Sequence, residues 1–100
     1  MNYPDEILDQ QKNSFELTNI FDCSMSTILK WKKNGLEYYQ GLNSNAYQNY
    51  FTKKPDTFII RNVVEYLQEH KGKRYLKSFE HYLASKGYRM IGSEYMLLHP

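Results

Sequence analysis

Residues 24–39 read SMSTILKWKKNGLEYY, and this stretch decides the fold. Ser24 is a favoured residue type for a helix N-cap, because its side-chain oxygen can accept a hydrogen bond from a backbone N–H of the first turn. Gly35 is typical of the left-handed residue that ends a helix. The sequence therefore predicts a helix over residues 25–34, with a pair of tyrosines soon after its end.

The two sides of this predicted helix differ in chemistry. At about 100° per residue, Ile28 and Trp31 fall towards one side. Ser26, Lys30 and Lys33 share the opposite side. We therefore expect Trp31 to be a core anchor and the lysines to form a cationic outer face, which is either a site for phosphate or an ordinary solvated surface.

A second helical pattern lies upstream. Asn13 and Glu16 have the spacing of a capping box, and apolar residues at helical spacing follow them. These features predict a helix over residues 14–21 and a tight turn at Asp22, which adopts a left-handed conformation at lower cost than most residues. A proline followed by two acidic residues predicts a further short helix over residues 4–12.

Downstream, residues 36–39 and 46–51 are rich in aromatic side chains and are separated by a cluster of turn-forming residues. We predict two short strands that form a wing. Asp56 or Thr57 then suits the cap of a helix that continues to Gly72.

The composition describes one small domain. One hundred residues, 41% of them hydrophobic, are enough for one core but not for a catalytic domain with a separate binding lobe. A signal peptide or membrane span needs a longer apolar run than this chain contains, and the single cysteine suits a reducing compartment. We expect a cytoplasmic protein with no membrane partner.

Charge is unevenly distributed along the chain. Residues 1–23 contain five acidic residues and one lysine, a net charge of −4, whereas residues 24–100 contain 12 basic and 6 acidic residues, a net charge of +6. The basic part begins where the quoted stretch begins. This asymmetry favours a nucleic-acid partner through attraction of phosphate.

The segments 15–39 and 58–67 together resemble the winged helix-turn-helix of the excisionase and mercury-resistance-regulator (MerR) type. The matching residues are Ser24, Ser26, Thr27, Ile28, Trp31, Gly35, Leu36, Val64 and Leu67. The resemblance implies a mainly α fold with a small β wing, a winged helix-turn-helix over residues 14–71. Together with a C-terminal helical extension over residues 72–100, it is predicted to form a single domain.

The resemblance also implies that the second helix faces DNA and that the wing lies near the phosphate backbone. Carried over by position, Met25, Ser26, Lys30 and Lys33 approach the groove. The chain departs from the family at Leu29, where a basic residue is common, and the second helix contains no arginine. Because arginine makes the commonest specific base contact, we expect this helix to position nucleic acid rather than to read its sequence.

Aromatic and basic residues after the helix suggest a strand-binding surface. Tyrosine rings can stack on unpaired bases while lysines follow the backbone; the alternative is that the rings cover the core of a small sheet. The residues in question are Tyr38, Tyr39, Tyr47, Tyr50, Lys53 and Lys54.

The extension from residue 72 onward lies outside the family pattern. It contains a predicted helix over residues 74–86 and then an apolar tail, which we interpret as a surface for a protein partner. The residues assigned to that partner are Leu29, Met90, Ile91, Tyr95, Met96, Leu97 and Leu98. More loosely, the whole chain resembles the small proteins encoded beside an A-family DNA polymerase in staphylococcal cassette chromosome elements, which implies a polymerase-binding accessory.

No pattern in the sequence indicates catalysis. His70, His81 and His99 are too far apart for a local metal motif, and a lone cysteine supplies no thiolate cluster. Phosphate-binding glycine loops, nucleophile elbows and paired catalytic carboxylates are absent from the sequence. We expect no enzyme activity, cofactor or metal.

The sequence thus predicts a DNA-binding accessory protein, acting on single-stranded or duplex DNA and docking a larger replication or recombination protein. Two alternatives stay open. One is a sequence-specific excisionase or transcription regulator that binds duplex DNA as a dimer. The other is a protein-interaction adaptor that reuses the fold.

Overall fold

A computed structural model describes residues 3–37 and 57–98 of the chain. Within those residues the fold is mainly helical, with two small antiparallel sheets. In chain order the elements are α1 (Asp5–Leu8), β1 (Gln11–Asn13), α2 (Ser14–Phe21), α3 (Met25–Lys33), β2 (Thr57–Ile59), α4 (Ile60–Glu69), α5 (Lys73–Ser85), β3 (Tyr88–Ile91) and β4 (Glu94–Leu97). The predicted class, mainly α with a small amount of β, is confirmed at this level.

Local capping fixes the start of α2 and α3. The Asn13 side chain accepts a hydrogen bond from the Glu16 backbone N–H (2.8 Å), and the Glu16 carboxylate accepts one from the Asn13 N–H (3.0 Å). The Ser24 hydroxyl oxygen accepts from the Thr27 N–H at 3.3 Å. Between the helices, Asp22 is left-handed (φ 51°). The predicted bounds of α2 are confirmed, and α3 ends one residue earlier than predicted.

The core lies where α2, α3, α4 and α5 meet. The Phe21 and Phe79 rings stack at 5.3 Å between centroids, joining α2 to α5. Trp31 meets Phe21 edge-on at 6.2 Å. The largest fully buried side chains are Phe21, Phe58, Phe79, Leu17, Ile28, Ile60, Leu67, Leu83 and Val63. Burial of these side chains holds the four helices together.

Two predictions near the first sheet are wrong. The helix predicted over residues 4–12 is only α1, because residues 11–13 are extended and pair antiparallel with residues 57–59. Thr57 is accordingly a strand residue, and α4 begins at Ile60 without a side-chain cap. The physical reason is non-local: Phe58 is fully buried in the core, and β1 supplies the backbone partner for its strand.

The C-terminal extension is a helix followed by a β-hairpin. α5 begins and ends one residue before its predicted bounds, and the apolar tail forms β3 and β4 around a turn that contains Gly92 (φ 65°). Tyr88 is buried and its hydroxyl donates to the Glu6 carboxylate. Tyr95 packs on Tyr3 at 5.6 Å between ring centroids. The extension therefore packs as part of the fold. It was predicted to be helical, but only its first part is a helix.

The predicted wing lies almost wholly outside the described residues. Of its two predicted strands only Leu36 and Glu37 are described; Leu36 is buried, and neither residue belongs to a helix or strand. The part of the chain that the structure describes contains no helix long and apolar enough to cross a membrane.

Candidate nucleic-acid interface

The outer face of α3 carries the predicted contact residues. Lys30 and Lys33 are exposed, as is Ser26, whereas Ile28 and Trp31 on the inner side are buried. The helical periodicity of residues 25–34 thus corresponds to two sides of α3 in the structure, one packed in the core and one exposed and cationic.

Trp31 fixes the rotation of α3 about its axis. Its indole ring meets rings from three other helices: Phe21 of α2, Tyr66 of α4 at 6.1 Å and Tyr75 of α5 at 5.0 Å. Turning the helix would break all three contacts. The lysines opposite this anchor are therefore presented by a rigid element, which suits a binding surface.

The N-terminal end of α3 holds a group of hydroxyls. The Ser24 oxygen lies 2.9 Å from the Ser26 hydroxyl and 3.0 Å from the Thr27 hydroxyl. Ser26 is consequently already hydrogen-bonded, although exposed. Met25 and Leu29 are also exposed and stand four residues apart, so they lie on one side of the helix. α3 can offer a ligand both charge and apolar contact.

The α3 lysines keep their charge available. Among residues 3–37 and 57–98, Lys30 and Lys33 form no ion pair. Both stand in the last turn, where a cation also interacts favourably with the negative end of the helix dipole. That stabilisation is modest and leaves their ammonium groups facing solvent, where phosphate can approach.

A groove that the sequence analysis missed lies between α2 and α5, with a volume of about 750 Å³. Its charged wall is formed by Arg74 and Lys77, both exposed, and Asp22 stands on the other side. The spacing of Arg74, Lys77 and His81 at three and four residues is the signal that places them on one helical face. Tertiary packing was needed to set that face beside the α2–α3 turn.

The cysteine in the α2–α3 turn is half-buried, and its thiol is hard to ionise. Burial and the neighbouring Asp22 carboxylate raise the pKa of the Cys23 thiol to about 11, although the Arg74 guanidinium opposes that shift. The raised pKa leaves little thiolate at neutral pH, and the thiolate is the form that acts as nucleophile and metal ligand. In the described residues no group of His, Cys, Asp and Glu side chains could hold a metal ion.

The hairpin separates the predicted partner-binding residues into two faces. Directly paired residues share a face, so Met90 and Tyr95 lie on the side of the buried Tyr88, whereas Ile91 and Met96 lie on the other. Tyr95 is half-buried and packs in the fold. Exposed apolar side chains along the hairpin and its end are Met90, Ile91, Met96, Leu97 and Leu98.

The predicted stacking surface lies outside the part of the chain that the structure describes. Tyr38, Tyr39, Tyr47, Tyr50, Lys53 and Lys54 lie outside the described residues. The described candidate interface therefore consists of α3 and its immediate neighbours.

Comparison of the chain with protein-family models, with curated proteins and with solved structures finds no match.

Proposed function

We propose that this chain is a non-catalytic DNA-binding accessory protein of a mobile element. It holds nucleic acid by backbone contacts and docks a replication polymerase or primase to help initiate DNA synthesis. The observation that carries the proposal is the outer face of α3. Lys30 and Lys33 are exposed there and form no ion pair with any described residue, on a helix anchored by Trp31.

The finer fold that accompanies this function is a winged helix-turn-helix. In it, α2 and α3 are the helix pair and α3 faces DNA. Two observations support it: the left-handed Asp22 gives a tight turn between the helices, and β1 pairs with β2. That pairing returns the chain to the start of α2 before α4 begins.

Backbone contact is favoured over base readout by the chemistry of α3. A lysine ammonium is a point charge that attracts phosphate, whereas guanine readout relies mostly on the planar fork of arginine. The nine residues of α3, MSTILKWKK, contain three lysines and no arginine. Contacts of this kind position a strand or duplex without selecting its sequence.

The docking part of the proposal is supported by the outer face of the hairpin. Ile91 and Met96 are each 48% exposed, and Arg89 and Glu94 share their face. An apolar centre with charged neighbours resembles the composition of a protein interface. The partner proposed for it is the polymerase or primase.

The DNA-binding proposal is tested by titrating labelled single-stranded and duplex oligonucleotides with the protein over a salt series. We expect comparable binding to both and little dependence on sequence. Two lysine contacts alone give a slope of log K against log salt of about −1.8 for duplex and about −1.4 for single strands. Fluorescence anisotropy measures the affinity for each oligonucleotide and its dependence on salt.

Other outcomes of the titration point elsewhere. Tight, sequence-dependent binding to duplex alone supports the excisionase or regulator. Absence of binding to either oligonucleotide rules out the nucleic-acid proposal and leaves the adaptor.

Docking is tested with the double substitution Ile91→Lys, Met96→Lys. Both side chains lie on the face away from Tyr88, so we expect the fold to persist. Recovery of the polymerase or primase from the native host should fall at least about tenfold, because a lysine at the centre of an apolar contact leaves a desolvated charge. Affinity capture with quantification of the recovered partner measures this. Deleting the tail would be a poorer test, since it removes the buried Tyr88.

Phe15→Lys is the matched control for docking, because Phe15 is 67% exposed and belongs to α2. It changes an exposed apolar side chain into a cation on a different element. Equal recovery of the partner by the hairpin variant and the wild-type protein would exclude this face as the docking surface.

A further inference from the structure

We propose that Arg74 and Lys77, assisted by Asn19, form a second site for the nucleic-acid backbone, in the groove between α2 and α5. The inference rests on the proposed DNA binding by α3 and extends it to another helix. The ligand is the phosphate backbone of a nucleic-acid strand.

The groove brings hydrogen-bond donors from two helices together. Arg74, Lys77 and His81 project from one face of α5, and Asn19 lines the opposite wall from α2. All four side chains are exposed. Guanidinium, ammonium and amide groups donate hydrogen bonds, which phosphate oxygens accept.

Arg74 differs from the other two arginines in what its guanidinium contacts. Arg61 donates to Asp5 at 3.0 Å and to Asp9 at 2.8 Å, so its charge is neutralised. Arg89 donates to the backbone carbonyls of residues 84 and 88. The Arg74 guanidinium, by contrast, lies over the Tyr75 ring at 5.3 Å and makes no hydrogen bond or ion pair to the described parts of the chain.

That arrangement prepares Arg74 for phosphate. The cation–π contact with the Tyr75 ring restrains the Arg74 side chain, and its guanidinium N–H groups make no hydrogen bond to the described residues. Binding then loses less side-chain freedom than it would with an unrestrained arginine. The planar fork can donate two parallel hydrogen bonds to one phosphate, which a lysine cannot do.

The groove is close to the start of α3. Tyr75, next to Arg74, packs edge-on against Trp31 of α3 at 5.0 Å. The field of the Arg74 guanidinium also acts on Cys23, within the turn from α2 to α3. A strand that contacts α3 therefore has a second cationic surface beside the turn from which α3 begins.

The charge of the groove favours an extended anion. Arg74 and Lys77 contribute two positive charges and Asp22 one negative charge, and neither cation is ion-paired with Asp22. The exposed donors do not enclose a ligand, so a single small anion would keep most of its water. A polyanion that also contacts α3 is held at several points, and its binding is correspondingly stronger.

The test is the double substitution Arg74→Glu, Lys77→Glu, measured by oligonucleotide binding over a salt series. Each phosphate contact changes the slope by about 0.9 for duplex DNA, so the slope is expected to become about 1.8 less steep. At about 0.1 M salt this corresponds to roughly a 60-fold loss of affinity. Circular dichroism melting checks that the variant is folded.

Lys71→Glu, Lys86→Glu is the matched control, because both residues are exposed, lie outside the groove and give the same change in net charge. It should leave the slope nearly unchanged. An equal loss in the control overturns the groove site in favour of overall charge. Binding of the groove variant at wild-type strength overturns it as well.

Two further arms identify the ligand and separate this inference from the proposed function. Poly-glutamate binding that is weakened as much as oligonucleotide binding would overturn a nucleic-acid site in favour of an acidic protein segment, and inorganic phosphate should compete only weakly. If Lys30→Glu, Lys33→Glu weakens DNA binding but the groove variant does not, the groove inference alone fails. If the wild-type protein binds no DNA, both fail.

Discussion

Replacement of Phe79 by alanine is expected to lower the free energy of unfolding by about 3–5 kcal/mol. Phe79 is fully buried; its ring stacks on Phe21 at 5.3 Å and meets the Tyr3 ring edge-on at 5.0 Å. Truncation removes both contacts and leaves a cavity between α2 and α5. Because a domain of this size is stable by about 5–15 kcal/mol, the loss is a large share of the total. Urea denaturation followed by circular dichroism measures it.

Leu29→Ala is the control for that measurement. Leu29 is 55% exposed, so its truncation removes little buried surface, and we expect a change within about 0.5 kcal/mol. A loss of less than about 1 kcal/mol in the Phe79 variant would contradict the stacking of α5 on α2, since no fully buried phenylalanine could then occupy that position.

The two helices that carry the candidate interface were predictable because their boundaries are set locally. The reciprocal hydrogen bonds of Asn13 and Glu16 span three residues, and the Ser24 cap also reaches only three residues along the chain. Asp22 is left-handed, a conformation that aspartate adopts at modest cost in any context. Signals of this kind do not depend on the rest of the fold.

The first sheet was not predictable for the opposite reason. β1 and β2 have three residues each, too few for a recognisable alternation, and they are separated by α2, α3 and residues 34–56. Their pairing is a consequence of placing Phe58 in the core. Only the tertiary arrangement therefore reveals why residues 11–13 are extended rather than helical.

The C-terminal hairpin did leave a signal in the sequence. Gly92-Ser93 is a pair of turn residues between two short runs of strand-forming residues, a typical two-residue hairpin connection. The apolar residues lie on both faces of the hairpin, which obscured the alternation. The tail was consequently interpreted as a docking segment and not as a hairpin, and the packing of Tyr88 and Tyr95 in the fold was not predicted.

The candidate interface also has one part that was predictable from the sequence and one part that was not. Helical periodicity alone placed Lys30 and Lys33 opposite Trp31, and the structure has that arrangement. For Arg74 and Lys77, the sequence spacing shows only that both residues lie on one helical face. What makes them candidates is the packing of α5 against α2 and of Tyr75 against Trp31, which no local pattern encodes.

Lys30→Glu, Lys33→Glu is expected to reduce oligonucleotide affinity by roughly 60-fold at about 0.1 M salt, because two phosphate contacts are lost. The slope of log K against log salt should become less steep by about 1.8 for duplex DNA. The same loss is expected for every oligonucleotide sequence, since lysine positions the backbone without reading bases. Anisotropy titrations with three unrelated sequences measure it.

The outcome that contradicts this prediction is unchanged affinity and slope, which would assign the α3 lysines to a solvated surface. A loss confined to one sequence would instead indicate base readout. Combining the substitution with Arg74→Glu, Lys77→Glu gives a further discrimination. If α3 and the groove contact different phosphates, the two losses should add in free energy within about 0.5 kcal/mol. A combined loss no larger than either alone would mean that both pairs act on one phosphate or through a shared conformational change.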